Sequence, residues 1–190
     1  LVSWWRMDDL NSSGAVVDYM GRNNGSVNGN SSQIEAGYFG KGFSFDGDGD
    51  YVNISDKDIL DGNSSFTITA WFKLASLSNH SAIFSKADDK LGDEGYDGYQ
   101  CLIRQTTGNV TCKVYGDTAN VWLEGGNTAA LNRWYFIALT YDGVSSEKVY
   151  LNGTEIISSS TTVGDITNTY PFLIGSHDGT DGYFNGSIDD

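Results

Sequence analysis

The sequence predicts an all-β fold, a two-sheet antiparallel sandwich, and three observations carry that expectation. Apolar and polar residues alternate with period two through most of the chain, and no segment shows the apolar spacing of an amphipathic helix. Twenty-four glycines against one proline, with abundant Ser, Thr, Asn and Tyr, suit short strands joined by tight turns. About a dozen such stretches with turn signals between them leave a two-layer β arrangement as the simplest solution.

The elements follow in order. Residues 2–7, with Trp4, Trp5 and Met7, read as a first strand; 42–45 and 51–54 follow on either side of a glycine-rich acidic turn. Residues 66–73 are the clearest strand, with Phe66, Ile68, Ala70 and Phe72 on one face. Strands are expected at 82–85, 99–104, 109–115 and 121–124. Residues 134–141 are apolar on both faces, so this strand should lie centrally with material packed over each side. Residues 148–151 and 155–158 flank Asn152-Gly153, the strongest short hairpin signal. Further strands are expected at 172–174 and 183–188. Two long acidic loops, 88–97 and 175–182, stand out; no internal repeat or linker does.

Composition bounds the function. The length suits one domain with a sizeable core, and 39% apolar and 13% aromatic residues exclude a disordered chain. A formal net charge of −14 argues against nucleic acid or an anionic membrane as partner. No apolar run approaches the roughly 18–20 residues needed to span a bilayer. The chain begins at Leu1 with neither an initiator Met nor a signal peptide, so a processed or excised piece of a longer protein is expected.

Nine of the fifteen asparagines stand in Asn-x-Ser/Thr: Asn11, Asn24, Asn30, Asn53, Asn63, Asn79, Asn109, Asn152 and Asn185. With 35 Ser and Thr in 190 residues, chance would give about three. The excess points to a glycosylating secretory pathway, and each used site must face solvent because the sugar is bulky and hydrophilic. Asn53 and Asn109, beside or inside strands, must then point outward. Cys101 and Cys112 fall opposite each other if Arg104 pairs with Asn109 across the turn at 105–108. In an oxidising compartment a disulfide is favoured over two buried thiols.

The ordered series Leu1-Val-Ser-Trp-Trp-Arg-Met-Asp-Asp9, Gly21-Arg-Asn-Asn-Gly25, residues 39–52, 66–73, Ile83-Phe-Ser-Lys86, 134–143, 149–153, 173–176 and Phe184-Asn-Gly-Ser-Ile-Asp-Asp190 resembles a known family. It is similar to the LamG-like jelly-roll domains of the concanavalin A-like lectin/glucanase superfamily, over essentially the whole chain. The resemblance implies a jelly roll. It also implies a further closing strand after the Ile-Asp-Asp segment, which this chain lacks. One expectation is a sequence that ends early; the other is a strand donated by a neighbouring subunit beside residues 2–7.

Asp46-Gly-Asp-Gly-Asp50 sets three carboxylates at alternate positions on a glycine-rich turn, which suits the six to eight oxygens that calcium takes. The resemblance implies a structural Ca2+ held in part near the termini. It extends the set from Asp46, Asp48 and Asp50 to Asp8, Asp189 and Asp190. The bland alternative is that these residues cap turns. A second candidate is the loop with Asp88, Asp89, Asp93, Glu94 and Asp97.

For sugar binding, Trp122, Tyr96, Tyr99, His177, Asp178 and Tyr183 are candidates, since a pyranose needs a flat apolar face beside fixed polar groups. Most Trp and Tyr of a sandwich are packing residues instead, Trp71 and Trp134 above all. Catalysis is disfavoured. The Glu-x-Asp-x-x-Glu strand motif of the superfamily's glucanases is absent, and Glu35, Glu94, Glu124, Glu147 and Glu155 are scattered. Neither His80 nor His177 has a nucleophile pattern beside it. The expectation is a non-catalytic, N-glycosylated, calcium-stabilised structural or adhesive module of an extracellular or cell-surface assembly. Its partners would be like subunits or other extracellular proteins. The alternative is a carbohydrate-binding lectin-type module.

Overall fold

The computed structural model describes residues 1–62, 64–77, 80–87 and 97–190. Among them, fourteen strands form two antiparallel sheets of seven. The strands are β1 (Ser26–Asn28), β2 (Ser32–Ile34), β3 (Gly42–Asp46), β4 (Tyr51–Ile54), β5 (Phe66–Leu74), β6 (Ser81–Ala87) and β7 (Gly98–Ile103). They continue with β8 (Asn109–Tyr115), β9 (Asn120–Thr128), β10 (Trp134–Tyr141), β11 (Glu147–Leu151), β12 (Thr154–Ser159), β13 (Phe172–Ile174) and β14 (Asn185–Asp189). The first sheet runs β1-β4-β13-β6-β7-β8-β9 and the second β12-β11-β10-β5-β14-β3-β2. This is the expected two-sheet jelly-roll sandwich.

Alternation builds the core. Ala70, Phe72 and Leu74 of β5, Tyr135, Ile137, Leu139 and Tyr141 of β10, and Phe84, Tyr99, Cys101, Cys112, Val114 and Leu123 of the first sheet are buried together between the layers. β10 is an inner strand flanked by β5 and β11, as its apolar faces require. Its outward side is covered in part: Phe136 packs on Trp71, and Tyr38 stacks on Trp71 with ring centroids 3.4 Å apart. The β7–β8 hairpin has the expected register, with Cys101 opposite Cys112 and a disulfide joining them across Cα atoms 4.1 Å apart.

The Asp46–Asp50 turn is where the chain passes from β3 in the second sheet to β4 in the first. Residues 29–31 make the same passage between β1 and β2. Asp50 joins these two crossovers: its buried carboxylate accepts Asn30 N–H at 2.7 Å and Asp46 N–H at 2.9 Å. β1 and β2 are absent from the sequence expectation because Ser26–Ile34 carries no apolar alternation. They pair with β4 and β3, and Asp50 holds the turn between them.

The expected strand at residues 2–7 does not form. Trp4 N–H donates to Asp18 Oδ1 and Trp4 C=O accepts from Tyr19 N–H, both within the N-terminal loop. Met7 takes a left-handed φ of 59°, which ends any extended run. Trp5 turns inward, stacks on Phe172 at 5.3 Å, and donates its indole N–H to Asn23 C=O. A strand donated beside residues 2–7 therefore has no strand edge there to pair with.

Lys86 is fully buried at the margin of the first sheet. Its Nζ lies 2.8 Å from Asp56 Oδ1 and 2.8 Å from Asp61 Oδ1, and donates to Asn168 Oδ1 and Tyr170 C=O. One cation thus ties β6, the 3-10 turn Asp58–Leu60 and the approach to β13.

Candidate functional site

Most of the terminal and turn carboxylates are held by backbone N–H groups or by a neighbouring side chain. Asp50 is used as above, and Asp46 Oδ1 accepts Asp48 N–H at 2.8 Å. Asp8 accepts Lys41 N–H and pairs with Arg6 at 2.6 Å. Asp189, buried, accepts Tyr38 and Phe39 N–H groups on Oδ2, while Asp190 Oδ1 accepts the Trp4 indole N–H. Among the described residues, no group of three or more His, Cys, Asp and Glu is arranged to hold a metal ion. Asp88, Asp89, Asp93 and Glu94 of the second candidate loop lie outside the described residues, as does Tyr96; Asp97 is described, and its carboxyl is raised by burial and by Asp117 and Asp165.

The outward face of the first sheet carries a different constellation. Because Cys112 and Val114 enter the core, Thr111, Lys113 and Tyr115 of β8 lie on the sheet's other face, where they too are buried; by the same alternation Trp122 and Glu124 of β9 lie on that face, and both are exposed. Pairing then lays out a transverse row, Asn53–Leu173–Ser85–Gln100–Lys113–Trp122. Trp122 ends the row on the edge strand, 54% exposed. Lys113 Nζ lies 4.0 Å from its ring centroid and Arg104 Cζ 5.7 Å. Arg104 also pairs with Glu124 at 3.1 Å. His80 closes the group: its Nδ1 accepts Gln105 N–H, and burial followed by the charges of Arg104 and Lys113 holds its pKa below the usual imidazole range.

The loop at 175–182 adjoins this group, since Ala82 N–H donates to Gly182 C=O and the charges of His177 and Asp181 reach His80. Its side chains mostly serve the loop itself. His177 Nδ1 meets Asp181 Oδ1 at 3.0 Å. Burial alone would raise the Asp178 carboxyl, but bonds from Thr180 N–H, Thr180 Oγ and Asp181 N–H outweigh it and hold the group below the usual range. Tyr183 donates to Gly179 C=O and stacks beside Tyr51. Tyr99, also a ligand candidate, is a core residue whose hydroxyl donates to Leu60 C=O. Of the described ligand candidates, Trp122 is the most exposed, and polar groups surround it. Arg104, Lys113, Glu124 and His80 were not singled out from sequence. The alternation of 109–115 and 121–124 puts Lys113 and Trp122 on one face, but only the β8–β9 pairing sets them opposite each other.

The sequons Asn24, Asn30 and Asn152 are exposed, and Asn11, Asn53, Asn109 and Asn185 half-buried. Asn53 lies on the outward face between the core residues Val52 and Ile54, and Asn109 opens β8 beside the core residue Val110. Asn63 and Asn79 lie outside the described residues.

Comparison with known proteins places the chain. A laminin-G-type family model, described as the concanavalin A-like lectin/glucanases superfamily, matches residues 46–190. No curated protein matches the sequence. Among solved structures, the ligand-binding domain of botulinum neurotoxin serotype D, in complex with N-acetylneuraminic acid, is similar with a TM-score of 0.72 at 17% identity, over 95% of this chain and 45% of that one. Domain 4 of AbnA, a GH43 extracellular arabinanase from Geobacillus stearothermophilus, in complex with arabinotriose, gives 0.69 at 21% identity, over 90% and 82%. The binding domain of Paraclostridial Mosquitocidal Protein 1 gives 0.69 at 15%, over 95% and 47%. The chain spans about half the length of the two toxin domains. At these identities the likeness is one of fold, and no helix among the described residues is long and apolar enough to cross a membrane. The family match covers most of the chain, which belongs to the concanavalin A-like lectin/glucanases superfamily.

Proposed function

We propose that this domain is a carbohydrate-binding module whose site is the outward face around Trp122. The observation that carries the reading is Trp122 itself, exposed on the edge strand with Lys113, Arg104 and Glu124 around it. An indole offers a flat apolar surface to the C–H face of a pyranose, while ion-paired side chains beside it supply fixed donors and acceptors for hydroxyls. Buried Lys113 lies against the ring, and Trp122, on the strand that ends its sheet among the described residues, keeps 54% of its surface exposed to a ligand. Complexes of the neurotoxin domain with N-acetylneuraminic acid and of the arabinanase domain with arabinotriose support the class of ligand, not its identity. The test is binding to a printed glycan array by the intact domain and its Trp122→Ala variant. Saccharide binding lost in the variant supports the reading, and a wild-type domain that binds no saccharide overturns it.

A second reading, a glycosylated and calcium-stabilised adhesive module of an extracellular assembly, is favoured by one further observation. Tyr38 and Phe39 stand 43% and 55% exposed on the opposite sheet, an aromatic pair suited to a protein contact. This reading no longer includes strand donation beside residues 2–7. Sedimentation of the domain at rising concentration tests it: self-association lost in Phe39→Ser supports a contact between copies.

A further inference from the structure

The second sheet carries an aromatic row on its outward face, and a sequon stands at the end of it. Ile137 and Leu139 of β10, and Val149 and Leu151 of β11, enter the core. Phe136, Tyr150 and Asn152 therefore face outward together. Phe136 pairs with Trp71 and Trp71 with Asp189, so the row runs Asn152–Phe136–Trp71, with Tyr38 stacked on Trp71.

Asn152 is built into this row. It holds φ 52° in the two-residue turn before Gly153 (φ 80°), conformations that Asn and Gly tolerate. Its N–H donates to Phe136 C=O at 2.8 Å, and its Oδ1 accepts Phe136 N–H at 2.9 Å. That bond fixes the amide plane. Nδ2, the atom that takes the sugar, makes no hydrogen bond among the described residues. Asn185 differs, since its Nδ2 already donates to Asp46 C=O at 2.6 Å.

We infer that Asn152 carries an N-linked glycan whose first sugar packs on Phe136 and Tyr150 and caps the aromatic row. The attachment forms a bond from Nδ2 to C1 of the sugar. It breaks the bond from that carbon to the diphosphate of a lipid-linked oligosaccharide donor, and Nδ2 loses one proton. The C–H face of the pyranose then lies on the part of the half-buried Phe136 and Tyr150 rings that still faces water. The inference shares with the adhesive-module reading only the passage through a glycosylating pathway.

The domain is secreted from a eukaryotic host, site occupancy is read by peptide mass spectrometry, and thermal unfolding is compared with the Thr154→Ala variant. The same pair made in bacteria without glycans gives the effect of Thr154→Ala alone. The expected result is high occupancy at Asn152 and a glycan-dependent rise in Tm of about 2–4 °C, the size of a contact worth about 1 kcal/mol in a chain this long. In Phe136→Leu and Tyr150→Thr backgrounds, which keep strand-forming residues, that increment should shrink by half or more. Bare Asn152 beside other occupied sequons overturns this inference alone. An increment that is absent, or unchanged in both aromatic variants, overturns it too. If every sequon is bare, it and the glycosylated reading fall together.

Discussion

Asp189 accepts the backbone N–H groups of both Tyr38 and Phe39 on one oxygen, at 2.7 and 2.8 Å. The two exposed aromatics are thus held by a buried carboxylate at the end of the last strand. The turn is tight enough that a Cβ on Gly37 would stand 2.1 Å from Lys41 C=O and 2.9 Å from Asp189 Oδ2. Asp189 Oδ1, also buried, makes no hydrogen bond among the described residues.

Burial pushes the Asp189 carboxyl up to about 6; the hydrogen bonds from Phe39 and Tyr38 oppose this, and the charges of Asp190 and Asp8 add to it. The folded value lies above the unfolded 3.8, so the folded chain holds the proton more tightly. Stability from this group is full below about pH 4 and is lost as pH rises through 6. Asp189→Asn keeps an acceptor for Tyr38 and Phe39 and removes the charge. It should match wild type near pH 4 and exceed it at pH 8 by about 1–3 kcal/mol in urea unfolding. A variant less stable than wild type at pH 8 would mean that the charge is used, as a bound cation would use it.

Asp50 and Asp48 belong to one turn but should behave differently. Asp50→Ala leaves the N–H groups of Asn30 and Asp46 without their acceptor, at a cost of about 2–4 kcal/mol. Asp48 is exposed, and Asp48→Ala should change stability by less than about 0.5 kcal/mol. Equal losses in denaturant titrations would refute the assignment of the crossover lock to Asp50.

Lys86→Met removes the cation from between Asp56 and Asp61 and should cost about 3–5 kcal/mol, because Asp61 is left charged in a buried place. Adding Asp61→Asn should recover part of the loss. A double variant no more stable than Lys86→Met would show that packing, not charge, sets the cost.

The sequence made the sheets legible where apolar alternation is strong, as in 66–73 and 134–141, and where turn chemistry is explicit, as at Asn152-Gly153. It misled at residues 2–7, where Trp4, Trp5 and Met7 imitate a strand. The Asp18 carboxylate, which takes four backbone N–H groups from Trp4, Met20, Arg22 and Asn23, holds a loop there instead. Side-chain clamps of this kind have no periodicity to read. At the site, Trp122 was legible as an aromatic but its company was not. Arg104, Lys113 and His80 come together only through the pairing of β6 to β9 and the curl of the 175–182 loop.

The disulfide closes a hairpin that strand pairing already shapes. Replacing both Cys101 and Cys112 by Ala should cost about 2–3 kcal/mol, near the loop-closure value for a separation of 11 residues. Circular dichroism of that variant should keep the β signature below its lowered Tm. Loss of the signature at 25 °C would mean that the hairpin depends on the bridge to form.

The central claim rests on Trp122. Its most direct test is titration of the intact domain with saccharides selected on a glycan array, followed by tryptophan fluorescence and by calorimetry, for wild type and Trp122→Ala. The account predicts a saccharide whose binding shifts Trp122 emission and weakens at least tenfold in the variant, measured below the variant's Tm so that both proteins are folded. Saccharide binding that survives Trp122→Ala at full strength would contradict it.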